Sequence, residues 1–210
     1  MTVRIDRLVI GERFKGGLFR PCQVMIPSSS IEGAFSHKYG CSIHAFGTLV
    51  RETYCIKETI YSVQDRFLNM VKIPLTTSYL EAIDSRKKIA GIIYVVEIDG
   101  VYKQLIQQIN TKGTIFHLGA LKSKGFGRCE IINIKQNCSF YTKQGWFNTK
   151  VFADECPVFG ITPITPVYGY LFRPDQYHIS GTHQKALFPG SLVRAPEIFL
   201  RGSEKTYYDE

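Results

Sequence analysis

The sequence predicts a sheet-rich α+β fold, and three observations carry that reading. Phe occurs 14 times and Tyr 12 times, and β-branched residues are frequent; both types suit a pleated, half-buried surface. Long alanine- and leucine-rich stretches, the mark of a helix bundle, are absent. Short apolar runs bounded by Gly, Pro, Asn or Asp recur along the chain. The 210 residues suffice for one large domain or two small ones, and an apolar share of 44% provides a core and argues against global disorder.

Residues 2–14 alternate as Val3, Ile5, Leu8, Ile10 and Phe14 between charges, which predicts an opening strand with one buried face and a bulge near Arg7. The segment KGGLFRPCQ (15–23) is glycine-rich and basic. In VMIPSSSIEGAFSHKYG, Pro27 ends an extended segment, and a serine at 28, 29 or 30 caps a helix running from about Ile31 to Tyr39. Glu32 stands three residues after Ser29, as in a capping box, and Gly40 stops the helix. Residues 41–75 read as strands closed by Pro74, and 78–87 as a short helix. KIAGIIYVVEI (88–98) is the most apolar run and the best central strand. Asp99-Gly100 supplies a turn into VYKQL, and LIQQINTKG reads as a helix ending at Gly113. TIFHLGA and RCEIINI read as strands on either side of a glycine-rich loop. From 136 to 166 the text turns polar, aromatic and proline-bearing, either a flexible excursion or the start of a second lobe. VYGYLFRP resumes as a strand, and ALFPGSLVRAPEIFL carries prolines spaced like edge strands and turns. These shifts place a boundary between residues 1–135 and 136–210.

The net charge of +8 and a pI of about 9.2 point to a polyanionic partner, with nucleic acid ahead of an acidic membrane surface. The six cysteines (22, 41, 55, 129, 138, 156) include no pair two residues apart, so no zinc-knuckle spacing occurs. The first residues carry charges throughout, and no run of 18 apolar residues exists. A reduced cytoplasmic protein without disulfides is the expectation.

The stretch HLGALKSKGFGRCEI (117–131) is the most informative. Gly119, Gly125 and Gly127 permit positive φ and close backbone approach. Lys122, Lys124 and Arg128 add charge, and Ser123 adds a hydroxyl. Amides exposed in such a turn can hold phosphate oxygens. No Gly-Lys-Ser/Thr ends the loop, so it is not a P-loop, and its glycine spacing is not that of a dinucleotide fingerprint. Lys124-Gly125-Phe126-Gly127 matches the start of the RNP1 pattern, but Arg128 stands where a stacking aromatic belongs. Ser28, Ser29 and Ser30 at a helix start offer a second anion-friendly site, with ordinary capping as the plainer reading. The five histidines (37, 44, 117, 178, 183) form neither an H-x-x-x-H pair nor a Cys/His cluster, so no metal ligand set is expected. His37 beside Lys38 and Tyr39 would suit metal-free RNA cleavage, against the plainer reading of a surface histidine.

Together, IPSSSIEGAF and LGALKSKGFGRCEI resemble signatures of the RAMP superfamily of CRISPR-associated proteins. Gly119, Ser123, Gly125, Phe126 and Gly127 fit its glycine-rich loop. Pro27, Ser28, Ser29, Ser30, Gly33 and Ala34 fit its helix start, with Ser28 where glycine is common. The resemblance implies a ferredoxin-like (RRM-like) domain with an antiparallel sheet, followed by a β-rich C-terminal extension. About 80 residues follow the loop, which looks more like the Cas-five group than a processing endonuclease. That group caps the backbone of an effector complex and binds the 5′ handle of the crRNA. The resemblance thus implies a non-catalytic RNA-binding subunit without cofactor or metal. Its RNA contacts would be Gly119, Lys122, Ser123, Lys124, Gly125, Phe126, Gly127 and Arg128, with Ser28, Ser29, Ser30 and Lys38. Its partners would be the crRNA 5′ handle, backbone RAMP subunits and a large subunit of a type III or type IV complex, and no membrane. FYTKQGWFNTK would be a thumb-like excursion. The alternative is a metal-independent repeat-RNA endoribonuclease using His37 or His44 with Tyr39 and Lys38.

Overall fold

A computed structural model describes residues 1–11, 19–41, 43–62, 67, 74–96, 107, 109, 113–136, 138–174 and 180–202. Its first strands are β1 (Thr2–Ile5), β2 (Arg7–Leu8), β3 (Phe19–Arg20), β4 (His44–Leu49), β5 (Tyr54–Tyr61), β6 (Leu75–Ala82), β7 (Ile89–Val96), β8 (Ile115–His117) and β9 (Arg128–Asn133). Helix α1 (Ser28–Tyr39) lies between β3 and β4. The later strands are β10 (Thr142–Trp146), β11 (Val151–Phe152), β12 (Thr162–Thr165), β13 (Tyr168–Pro174), β14 (Gly181–Leu187) and β15 (Leu192–Pro196). The architecture is α+β and mostly antiparallel.

The first sheet has the order β4-β7-β1-β9-β8, with every neighbouring pair antiparallel. The apolar run 88–98 does supply an interior strand, β7, whose residues are buried from Ile89 to Ile93. Strands at 115–117 and 128–133 flank the glycine loop as expected and pair with each other. α1 packs Ile31, Ala34 and Phe35 against the sheet; they share one core with Val3, Ile5, Ile89, Ile93, Phe116 and Ile131. A fully buried Phe or Ile stabilises such a core by roughly 1.5–3 kcal/mol.

Three expectations change. The opening strand is two strands: β1 ends at Ile5, and after Asp6 the chain enters a second sheet, where β2 pairs with β6. The bulge anticipated near Arg7 is therefore a change of sheet. Residues 78–82 are strand, not helix, because Ser78, Leu80 and Ala82 are buried alternately with period two and β6 pairs with β5 at eight positions. The prolines of ALFPGSLVRAPEIFL do not mark edges alone. β15 is the central strand between β10 and β12, with Pro196 at its last position, where no further ladder bond is lost.

α1 begins at Ser28, earlier than the expected Ile31, with Pro27 at the N-cap and no side-chain cap bond. The capping box does not form, because the Glu32 carboxylate accepts from the Ala45 amide instead (3.3 Å). Gly40 does stop the helix, at φ 65°, donating to the Ser36 carbonyl. The turn at 99–100 and the VYKQL segment lie outside the described residues. So does most of the helix expected over 105–113, of which Gln107 and Ile109 are helical.

Residues from 136 onward build a second core. Phe147, Val151, Phe159, Ile161, Val193 and Phe199 pack together, and Phe46 of β4 joins them. The FYTKQGWFNTK segment is not a free-standing arm: Thr142–Trp146 pairs with β15, and Phe147 is fully buried. Tyr141 and Trp146 stay exposed. The cysteines among the described residues are free thiols.

Candidate nucleic-acid interface

The glycine loop is held from within the protein. Beyond β8 the Leu118 amide donates to the Gly127 carbonyl (2.8 Å). The Ala120 amide donates to Val9 (2.8 Å) and the Gly127 amide to Arg7 (2.6 Å). A β carbon on Gly119 would lie 2.2 Å from the Val9 carbonyl oxygen, and one on Gly127 would lie 1.9 Å from that of Leu118. These two glycines are required by backbone packing inside the fold, with φ of 74° and 80°, whatever the loop binds.

The tip is different. Leu121 takes the left-handed conformation (φ 55°, ψ 31°), and Lys122–Lys124 form one short 3-10 turn. The amides of Lys124, Gly125 and Phe126 are spent on the Leu121 and Lys122 carbonyls. Those of Leu121, Lys122 and Ser123 take part in none of these bonds. The side chains of Lys122, Ser123 and Lys124 are exposed. A left-handed residue followed by helical ones turns successive N–H groups toward one concavity, a geometry suited to an anion.

Two sequence-selected residues also make contacts within the fold. Phe126 is buried and meets Tyr79 of β6 edge-on, with centroids 5.2 Å apart; it fastens the loop to the second sheet. The Arg128 guanidinium pairs with Asp6 (3.3 Å), which also takes Lys88 (2.8 Å), and Lys88 reaches Glu130 (3.8 Å). Partial burial works against the Asp6 charge, yet Lys88 and Arg128 hold its carboxyl below the usual range. Arg128 is thus already neutralised at the turn between the sheets.

The serines stand apart from the loop. Ser28 is fully buried, its amide donating to the Lys150 carbonyl (3.4 Å), while Ser29 and Ser30 are half-buried. The start of α1 sits by β4, through the Ile26–Gly47 bridge and Glu32–Ala45. Its end sits by β8, where the Lys38 ammonium donates to the Ile115 carbonyl. A 12-residue helix separates its ends by about 18 Å, so the serines and the glycine loop belong to different surfaces. Of the His–Tyr–Lys grouping, Lys38 and Tyr39 lie together, the ammonium 5.3 Å from the ring centroid, but His44 faces other partners. Lys38 is held at β8, Tyr39 packs on Phe35 (5.4 Å), and His44 lies beside Glu32 and Glu155.

That last cluster escaped the sequence reading. His44 Nδ1 lies 3.6 Å from Glu155 and 4.0 Å from Glu32. Burial, with the nearby Glu155 charge, pushes the Glu32 carboxyl up to about 8. Burial pushes Glu155 up to about 7, against the pull of Arg173. Burial and Arg173 push the His44 imidazole down. Burial thus favours the uncharged form of all three groups. Residues 32, 44 and 155 are too far apart for any spacing rule to join them.

A second feature was legible but overlooked. In YGYLFRP the aromatics fall on alternate positions, and Tyr168, Tyr170 and Phe172 all lie exposed on one face of the β13–β14 ribbon. Lys185 reaches over the Tyr168 ring (3.8 Å), and His183 meets Phe172 (5.6 Å). The other face is covered, with Leu171 and Ala186 packed on Phe152.

No helix among the described residues is long and apolar enough to cross a membrane. No family model and no curated protein matches the chain. Solved structures do. A chain of the cryo-EM structure of the type III-B Cmr-beta bound to cognate target RNA and AMPPnP, state 1, superposes with a TM-score of 0.60 at 10% identity, covering 92% of this chain and 86% of that one. A chain of the type III-B Cmr-beta bound to cognate target RNA gives 0.59 at 11%, covering 92% and 85%. Over 92% of its length, this chain therefore has the fold of a chain of the type III-B Cmr-beta.

Proposed function

We propose that this protein is a non-catalytic subunit of a CRISPR RNA-guided effector complex. It binds the 5′ handle of the crRNA and caps the row of backbone subunits, beside a large subunit. The shared fold with chains of Cmr-beta, whose structures hold target RNA, carries the reading. The order β9-β1-β7-β4, antiparallel throughout and with α1 between β1 and β4, supports reading the first sheet as a ferredoxin-like arrangement. The β-rich C-terminal part is then its extension.

On this reading the loop tip is the phosphate contact. Lys122 and Lys124 supply charge, and the amides of Leu121, Lys122 and Ser123 supply direction. The exposed aromatics of β13 offer faces on which splayed single-stranded bases stack. Holding rather than cutting is favoured because His44 lies beside Glu32 and Glu155, while the Lys38 ammonium is held by the Ile115 carbonyl.

Fluorescence anisotropy of the purified full chain with a labelled single-stranded guide RNA tests the proposal. Binding is expected to weaken at least tenfold in Lys122→Glu/Lys124→Glu, with the thermal midpoint unchanged. Equal affinity in that variant would sink the loop assignment. Cleavage of repeat RNA in EDTA, abolished by His37→Ala, would replace the proposal with the endoribonuclease reading.

A further inference from the structure

We infer that Glu32, His44 and Glu155 form a site for one divalent transition-metal ion of the zinc class, joining the first lobe to the second. The three residues come from α1, from β4 and from the turn after β11, and their ligand atoms all lie within 4.8 Å of one another. A tetrahedral ion with ligands at about 2.1 Å sets its donors about 3.4 Å apart. The separations of 3.6 and 4.0 Å from His44 Nδ1 to the two carboxylates need only a small inward shift of side chains. One imidazole with two carboxylates is a donor set that zinc and its neighbours accept.

Outside the three ligands, the Ser28 hydroxyl is buried beside Glu155 and meets no hydrogen-bond partner within normal distance, and within the cluster His44 Nδ1 and Glu155 Oε2 are likewise buried without one. Ser28 is fully buried and Glu155 is 4% exposed. The Ser28 hydroxyl lies close enough to Glu155 to lower its proton affinity, though short of a full hydrogen bond. Buried polar groups are almost always satisfied, and a cluster of exceptions marks an ion or ordered water.

The local charge agrees with a dication. Arg173 pairs with Asp154 (2.8 Å) and with Glu155 Oε1, the oxygen that also lies 3.6 Å from His44 Nδ1, while Glu155 Oε2 is buried without a hydrogen-bond partner. With all carboxylates ionised, three of them against one guanidinium leave two negative charges. An incoming dication displaces whatever protons the two glutamates carry. The Glu32 side chain is held by the Ala45 amide (3.3 Å), a second contact that fixes its direction. The His44 side chain is 32% exposed, although its Nδ1 and Glu155 Oε2 are themselves buried.

The test uses the full chain, stripped with EDTA and desalted. Calorimetric titration with Zn2+ should give one equivalent, and Co2+ should give a visible ligand-field band that Zn2+ bleaches. The thermal midpoint should rise on Zn2+ addition. Glu32→Gln and His44→Asn should each lower the affinity at least tenfold, while the midpoint in EDTA stays within a few degrees of the parent. If the His44 variant folds poorly, Glu32→Gln alone decides the outcome. His117→Asn, at an exposed histidine on β8, should change nothing. Absence of saturable uptake by the stripped protein overturns the site. So does uptake that survives Glu32→Gln or is lost in His117→Asn.

Discussion

The α carbon of Gly127 faces the carbonyl of Leu118 so closely that a β carbon would stand 1.9 Å from its oxygen, while the Leu118 amide donates to Gly127 at 2.8 Å. The two residues close the neck of the glycine loop. Gly127→Ala must open that neck or distort β9. It should destabilise the protein by about 3 kcal/mol or more, beyond the roughly 1 kcal/mol typical of a left-handed alanine. Gly125 has open space around it, so Gly125→Ala should show only the smaller conformational cost. Thermal and urea denaturation of both variants provide the comparison.

Lys122 and Lys124 should act on RNA and not on stability. Each phosphate contact to a single strand contributes about 0.7 to the slope of log affinity against log salt. Losing both lysines to alanine should lower the slope by about 1.4. Arg128→Ala should behave differently. Its partner Asp6 keeps Lys88, and at a half-exposed pair the loss is about 0–1 kcal/mol of stability with the slope unchanged. An RNA titration series from low to high salt separates the two classes.

Phe126→Ala should destabilise by about 3–4 kcal/mol, the usual cost of deleting a buried phenyl ring. Phe126→Leu should recover most of that and bind RNA like the parent. A large loss of binding in the folded Leu variant would mean that the ring meets RNA directly.

Tyr170 is 69% exposed and Phe172 49%, so changing both to alanine should leave the thermal midpoint within a degree or two. If bases stack there, single-stranded RNA affinity falls by about 1–3 kcal/mol per stacked base. Calorimetry and anisotropy on the same preparation check both halves of this expectation.

Glu32 gives a pH dependence with a definite sign. Its folded pKa is raised to about 8, so the neutral carboxyl favours the folded state. That stability is fully present below the unfolded value near 4.5 and is lost as pH rises toward 8. Glu155, raised to about 7, adds in the same sense. Asp154, Arg173 and His44 face the pair and set how steep the loss is. The Met1 amine, pushed down to about 6 by burial, titrates oppositely, so the useful quantity is a difference. In EDTA, the parent should lose stability between pH 5 and 8 relative to Glu32→Gln.

Sequence patterns were reliable where one local rule governed the outcome. The run 89–96 was legible because uninterrupted apolar residues of strand length belong inside a sheet, and Gly40 because only a left-handed residue ends that helix cheaply. Residues 78–82 misled because Glu81, Ala82 and Leu80 carry helix propensity, which eight positions of pairing with β5 override. The loop was found, but its glycines were credited to a ligand when Arg7, Val9 and Leu118 require two of them. Those contacts come from residues more than a hundred positions away or across the loop neck. Glu32, His44 and Glu155 were invisible for the same reason: only the packing of the two cores brings them together.

Phe46 belongs by sequence to the first sheet and by packing to the second core, where its ring stacks on Phe199 at 3.8 Å and on Tyr94 at 4.8 Å. It works as a rivet through both halves. A fragment ending near residue 135 would bare this phenylalanine to water and be prone to self-association, and one beginning there would have a hole where the ring belongs. The chain should therefore melt in one step, and any partner that grips either half acts on the cohesion of the whole.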